Sequence, residues 1–241
     1  MNIPAKTLPG QGGHPHGQPP VERAGAVLKE ASGLLILVHG RGASAGNILQ
    51  LRHDLTLPGV AYAAPQAQGH TWYPHSFLAP LEANEPGRSS GLRRLEELVE
   101  EAALQGLSPR QVMFLGFSQG ACLVSEFLAR HPQRYGGAAI FTGGLIGTPG
   151  ELGGYQGDLD GTPVFLGAGD PDPHVPWARV EESAQVLRGL GAEVTLRRYP
   201  GLPHTLPADG IAEALTLLAG TLRPSSPGSG AEGDRAEERQ R

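Results

Sequence analysis

Six short apolar runs alternate along this chain with longer stretches whose apolar residues recur at helical spacing, and that alternation limits the fold more than any other feature. The runs are LLILV (34–38), VAYAA (60–64), VMFL (112–115), AAIF (138–141), PVFLG (163–167) and a more polar EVTLRRY (193–199). Runs this short and apolar on both faces suit strands covered on both sides. Among the helical stripes are Leu92, Leu95, Leu98, Val99 and Ala102; then Val180, Ala184, Leu187 and Leu190; then Ile211, Leu215, Leu218 and Leu222. Strand and helix in turn predict an α/β fold: a mostly parallel sheet with helices on both faces and a ligand site at the carboxyl ends of the strands. With no repeat and no internal linker, one domain is expected over residues 21–222.

The ends differ from this core. Residues 1–20 and 223–241 are rich in Gly, Pro, Ser, Gln and charge and poor in large apolar side chains, so both are expected to be unfolded tails. On this view the HPH at His14–His16 is incidental, because nothing nearby completes a metal's coordination set. The tails hold part of an excess of 36 glycines and 22 prolines, yet 39% of residues remain hydrophobic, enough for one core. No apolar run approaches the roughly 18 residues of a membrane span, and the N-terminus lacks the apolar stretch of a signal peptide. The expectation is a soluble cytoplasmic protein with no stable membrane insertion. A single cysteine excludes an internal disulfide or a Cys-built zinc site, and the net charge of −5 gives no footprint for nucleic acid.

On a sheet of this kind the motif to seek is G-x-S-x-G, which presents a serine on a tight strand-to-helix turn. The glycine excess weakens it: chance alone supplies the pattern at a rate on the order of 0.3 per chain. It occurs as GASAG around Ser44, GRSSG around Ser89 and GFSQG around Ser118. Context separates them, since the turn needs a buried strand running straight into the first glycine and an apolar helix after the last. Only Ser118 has both, between VMFL and ACLVSEFLARHP. Ser89 reads as a helix N-cap and Ser44 as part of a different loop.

A serine hydroxyl needs a base and an orienting carboxylate, which on such a sheet follow it in the chain. Of the histidines after Ser118, His131 ends a helix and His174 lies in the loop after PVFLG, whereas His204 lies between the last strand and the last helix. His204 is the expected base. The acid comes from GAGDPDPHVP, where placement leaves Asp170 and Asp172 equally eligible. Two backbone N–H groups must also face the developing oxyanion: that of Gln119, after the nucleophile, and that of Arg41, in the loop after LLILV. The Arg41 side chain reads as solvated or structurally paired more readily than as an anion site. Residues 64–80 concentrate Trp72, Tyr73 and Phe77 after a strand, where they either wall a pocket for substrate or fill the core. Cys122, one turn beyond Ser118, reads as a small buried apolar residue.

Taken together and in order, HGRGASAGNIL, APQAQGHTWYPHSF, GFSQGACL, GTPVFLGAGDPDPHVP and YPGLPHTL resemble the phospholipase/carboxylesterase family of α/β-hydrolases over roughly residues 24 to 220. The resemblance implies a single-domain α/β-hydrolase fold and a serine carboxylesterase that needs no cofactor and no metal, with Ser118 as nucleophile and His204 as base. It also selects the acid, because the family's D-P-x-V-P pattern falls on Asp172, Pro173, Val175 and Pro176. The family's oxyanion loop falls on His39, Gly40 and Arg41, which places His39 with Trp72 and Tyr73 among the expected substrate-binding residues, and a homodimer is implied. Where relatives often have HG before the acid loop, this chain has Leu166, Gly167 and Ala168. The TWYP segment resembles a bacterial esterase branch rather than the eukaryotic thioesterases, so depalmitoylation is not carried over. Dienelactone hydrolases share the fold but use cysteine, which Ser118 argues against. The expected partner is a small-molecule ester. The rival readings are a lysophospholipase or acyl-thioesterase acting on long chains, and a non-catalytic ligand-binding protein on the same fold.

Overall fold

The computed structural model describes residues 13–222. Seven strands form one sheet in the order β1-β3-β2-β4-β5-β6-β7. They are β1 (Val21–Gly25), β2 (Gly33–Val38), β3 (Val60–Pro65), β4 (Val112–Phe117), β5 (Gly137–Phe141), β6 (Pro163–Asp170) and β7 (Glu193–Pro200). All neighbours run parallel except β1, which is antiparallel to β3 at the edge. Five helices cover the sheet: α1 (Ala45–Leu49), α2 (Gly87–Leu104), α3 (Gln119–Arg130), α4 (Trp177–Gly189) and α5 (Ala208–Thr221).

The alternation of side chains along each inner strand divides the core in two. Leu34, Ile36 and Val38 of β2 pack with α2, α3 and α4, whereas Leu35 and Leu37 face α1 and α5. Every residue of β2 and β3 is buried, as expected of strands covered on both faces. β7, the more polar run, is the other edge and is only partly covered.

Two features depart from the sequence reading. The edge strand β1, VERAG, was not expected: it exposes Glu22 and Arg23, buries none of its residues and has no apolar run to reveal it. Residues 13–20 are not an unfolded tail. Pro15–Gly17 form a 3-10 turn against α2, and His16 is 2% exposed. The rest of the two expected tails, residues 1–12 and 223–241, lies outside the described residues. Among those described, no helix is long and apolar enough to cross a membrane.

The centre of the larger core is aromatic. Phe114 of β4 meets the rings of Phe127 and Tyr135 at centroid distances of 5.3 and 5.2 Å. Phe114→Ala is expected to lower unfolding free energy by about 3–5 kcal/mol, read by urea denaturation, because the strand and helix on either side cannot collapse into the space.

Candidate active site

β4 runs without a break into Ser118, which adopts φ 54°, ψ −118°, and α3 begins at the next residue. A non-glycine residue with this backbone costs on the order of 1–3 kcal/mol and persists only where its surroundings enforce it. Here the enforcement is steric. A Cβ on Gly116 would lie 2.6 Å from the Gly120 carbonyl oxygen, and one on Gly120 would lie 2.2 Å from that of Val38. The Ser118 amide donates to the Phe141 carbonyl at 3.0 Å, tying the turn to β5. Neither other serine motif shares this setting. Ser44 caps α1 through a reciprocal pair with Asn47. Ser89, expected as the N-cap of α2, instead sits inside its first turn, where its amide and hydroxyl both donate to the Glu85 carboxylate.

Two later loops meet the serine. His204 Nε2 lies 2.8 Å from Ser118 Oγ, and its Nδ1 lies 2.7 Å from Asp172 Oδ2. The loops are held together by the close approach of Gly169, whose Cβ would lie 2.2 Å from the Leu202 carbonyl oxygen, and by the Gly201 amide donating to the Asp170 carbonyl at 2.8 Å. Of the two eligible aspartates, Asp170 pairs with Arg198 at the surface, and Asp172 turns its fully buried side chain toward His204. Burial alone would raise the Asp172 pKa. The His174 amide, the His204 ring and the Val175 amide outweigh it, so the carboxyl titrates below the usual aspartate range.

The main-chain N–H groups of Arg41 and Gln119 have no hydrogen-bond partner among the described residues, as donors reserved for a ligand would require. Their side chains grip one segment. Gln119 accepts from the Trp72 amide at 2.9 Å and donates to the Tyr73 carbonyl at 2.8 Å. Arg41 donates to the carbonyls of Tyr73, Pro74 and His75 at 2.9, 3.0 and 2.7 Å. The guanidinium is therefore structurally paired.

A cavity of about 530 Å³ opens beside Ser118, lined by residues including Tyr73, Phe77, Phe117, Val175 and Cys122. Of the three residues expected to bind substrate, Tyr73 lines this cavity and Trp72 and His39 do not. Trp72 is fully buried, with Nε1 donating to the His39 carbonyl at 2.9 Å. His39 is fully buried too, donating from Nδ1 to the Gly40 carbonyl and accepting at Nε2 from the Ala67 amide. Burial lowers its pKa, which suits a ring that must accept at one nitrogen. Both shape the loops behind the cavity. His174, set aside as a base, stands edge-on to His204 with centroids 4.9 Å apart and lines the mouth. Burial pushes the Cys122 thiol up to about 11, which keeps it protonated near neutral pH. No group of metal-ligating side chains occurs among the described residues.

Comparison with known proteins finds a matching family model and similar solved structures. A family model described as phospholipase/carboxylesterase matches residues 26–222. A crystal structure of a phospholipase/carboxylesterase from Dyadobacter fermentans is similar with a TM-score of 0.81 and 42% identity, covering 83% of this chain and 96% of that one. Acyl-protein thioesterase 1 of Saccharomyces cerevisiae is 24% identical over 83% of this chain and 97% of its own length. A probable carboxylesterase SOBER1-like of Arabidopsis thaliana is 25% identical, and the match spans only 59% of that protein.

Two substitutions probe the site's construction. Gly120→Ala is expected to lower the melting temperature and abolish labelling of Ser118 by a fluorophosphonate probe, since the added methyl meets backbone that cannot move aside. Asp172 has a folded pKa below its unfolded value of about 3.9, so its ionisation stabilises the fold above that pH and the gain is lost as pH falls through the folded pKa. In acid-unfolding curves, Asp172→Asn is expected to flatten this limb.

Proposed function

The chain belongs to the phospholipase/carboxylesterase family of hydrolases, and from that membership we propose that it is a serine carboxylesterase working through an acyl-enzyme on Ser118. The observation that carries the reading is the continuous set of contacts from Ser118 Oγ through His204 to Asp172, at 2.8 and 2.7 Å. In the first half-reaction His204 Nε2 takes the Ser118 proton as Oγ attacks the ester carbonyl, and then passes it to the leaving alcohol. Asp172 keeps the Nδ1 proton in place and stabilises the imidazolium without itself being protonated. The amides of Arg41 and Gln119 receive the oxyanion, and being backbone groups already fixed in place they need no reorganisation as charge develops. In the second half-reaction water repeats the attack with His204 again as base, releasing the acid.

This chemistry needs no metal or cofactor, and the proposed substrate is a small carboxylic ester. The reading extends to a cytoplasmic enzyme formed by the domain over residues 21–222, with the homodimer that the family likeness implies.

Ser118→Ala is expected to reduce hydrolysis of p-nitrophenyl esters on the order of 10⁴-fold or more while leaving the melting temperature close to that of the parent. Retention of most activity in that variant excludes Ser118 as nucleophile. An ester series graded by acyl length tests the substrate class: a strong preference beyond about ten carbons points to the long-chain lysophospholipase or thioesterase reading. A Ser118 that resists fluorophosphonate labelling points to a binding protein.

A further inference from the structure

The His14-Pro15-His16 segment lies outside the hydrolase sheet, yet its side chains reach the back of the candidate site. His16 Nε2 donates to the Trp72 carbonyl at 2.8 Å, and its Nδ1 accepts from the Gln68 amide at 3.0 Å. Its ring stands edge-on to the Trp72 indole, with centroids 5.1 Å apart. The main chain of the segment is fastened in turn. The His16 amide donates to Ser90 Oγ at 3.0 Å, and His14 bridges Ser90 Oγ and the Glu97 carboxylate at 2.8 and 3.0 Å. Donating at one nitrogen and accepting at the other requires a neutral imidazole, and burial holds the His16 pKa below its ordinary value.

What His16 holds is the segment on which both proposed oxyanion donors depend. Trp72 offers its amide to the Gln119 side chain and its indole N–H to the His39 carbonyl, two residues before Arg41. Arg41 and Gln119 both donate to the Tyr73 carbonyl. Residues 72 and 73 thus form a bridge that fixes one donor loop relative to the other. The bridge is confined on its far side by α2, where a Cβ on Gly87 would lie 2.5 Å from the Trp72 carbonyl oxygen.

We propose that His16 is a positioning residue for ester hydrolysis, acting through Trp72 to set the separation of the Arg41 and Gln119 amides. The inference rests on the esterase reading above. Loss of His16 frees the Trp72 carbonyl and the Gln68 amide, and the two donors drift from the place where the oxyanion forms. Because the amides act on the transition state, the loss appears in kcat and not in ground-state binding.

The test is steady-state hydrolysis of a p-nitrophenyl ester by full-length His16→Ala, well below its melting temperature. It is paired with the affinity for an aryl trifluoromethyl ketone, whose adduct on Ser118 places an oxyanion between the two amides. The expected result is a kcat reduced about tenfold, a fraction of the cost of deleting one oxyanion donor, with KM changed less than about twofold. Ketone affinity falls in parallel with kcat. A kcat and a ketone affinity both within about twofold of the parent overturn the proposal, whatever happens to the melting temperature. A parent protein that neither hydrolyses esters nor binds the ketone refutes the esterase reading itself; a parent that does both, beside an unaltered variant, refutes only the role of His16. Trp72→Phe keeps the ring and removes the indole donor to His39, so it is expected to show the same kcat-weighted loss and carries the test if His16→Ala does not fold.

Discussion

At the carboxyl end of β2, the carbonyls of Val38 and His39 press against the α-carbon of Gly120, leaving no room for a methyl group. That contact sets how deeply α3 seats on the sheet, and other parts of the site follow from it. The turn between β4 and α3 is pulled tight enough to hold Ser118 in a backbone region it would otherwise avoid. The same approach brings the residue after the serine beside the loop after β2, so that Arg41 and Gln119 line one cavity. Burial, hydrogen bonding and charge then work on a geometry that backbone packing has already imposed.

A parallel sheet between helices was legible because strands buried on both faces can only be short apolar runs, and a covering helix can only show a stripe. Ser118 was legible through context alone, since a strained turn needs a strand running directly into it and a helix after it, and neither of the other two serine motifs has such a strand. β1 escaped because a short edge strand with no buried residue carries no such signature. Placement could not divide Asp170 from Asp172, because two residues on one loop differ only in which way the chain turns. In the structure one faces Arg198 and the other His204.

The misread residues share a cause. Trp72 and His39 were expected to face substrate, yet each uses its polar atoms on nearby main chain. Loops have no periodicity to say which side of the chain faces in. His16 was hidden in another way: a segment rich in Gly, Pro and Gln looks unfolded, and only its partners Ser90, Trp72 and Gln68, far away in sequence, reveal that it is docked. The nearest clue was the HPH itself, whose two rings need an explanation that neither a metal nor a tail supplied.

The grip of Arg41 and Gln119 on residues 72–75 also bears on how this pocket admits a ligand. Many hydrolytic sites close over substrate by moving a loop. Here the Tyr73 wall cannot swing outward without breaking the bonds that join it to the side chains of Arg41 and Gln119, the residues on either side of the serine. That wall is a fixed template, and selection along it proceeds by fit to a shape already formed. Beyond the Tyr73 wall, His174 is exposed, its ring edge-on to His204 and its amide donating to the Asp172 carboxylate at 2.8 Å, so that rim too is tied to the site.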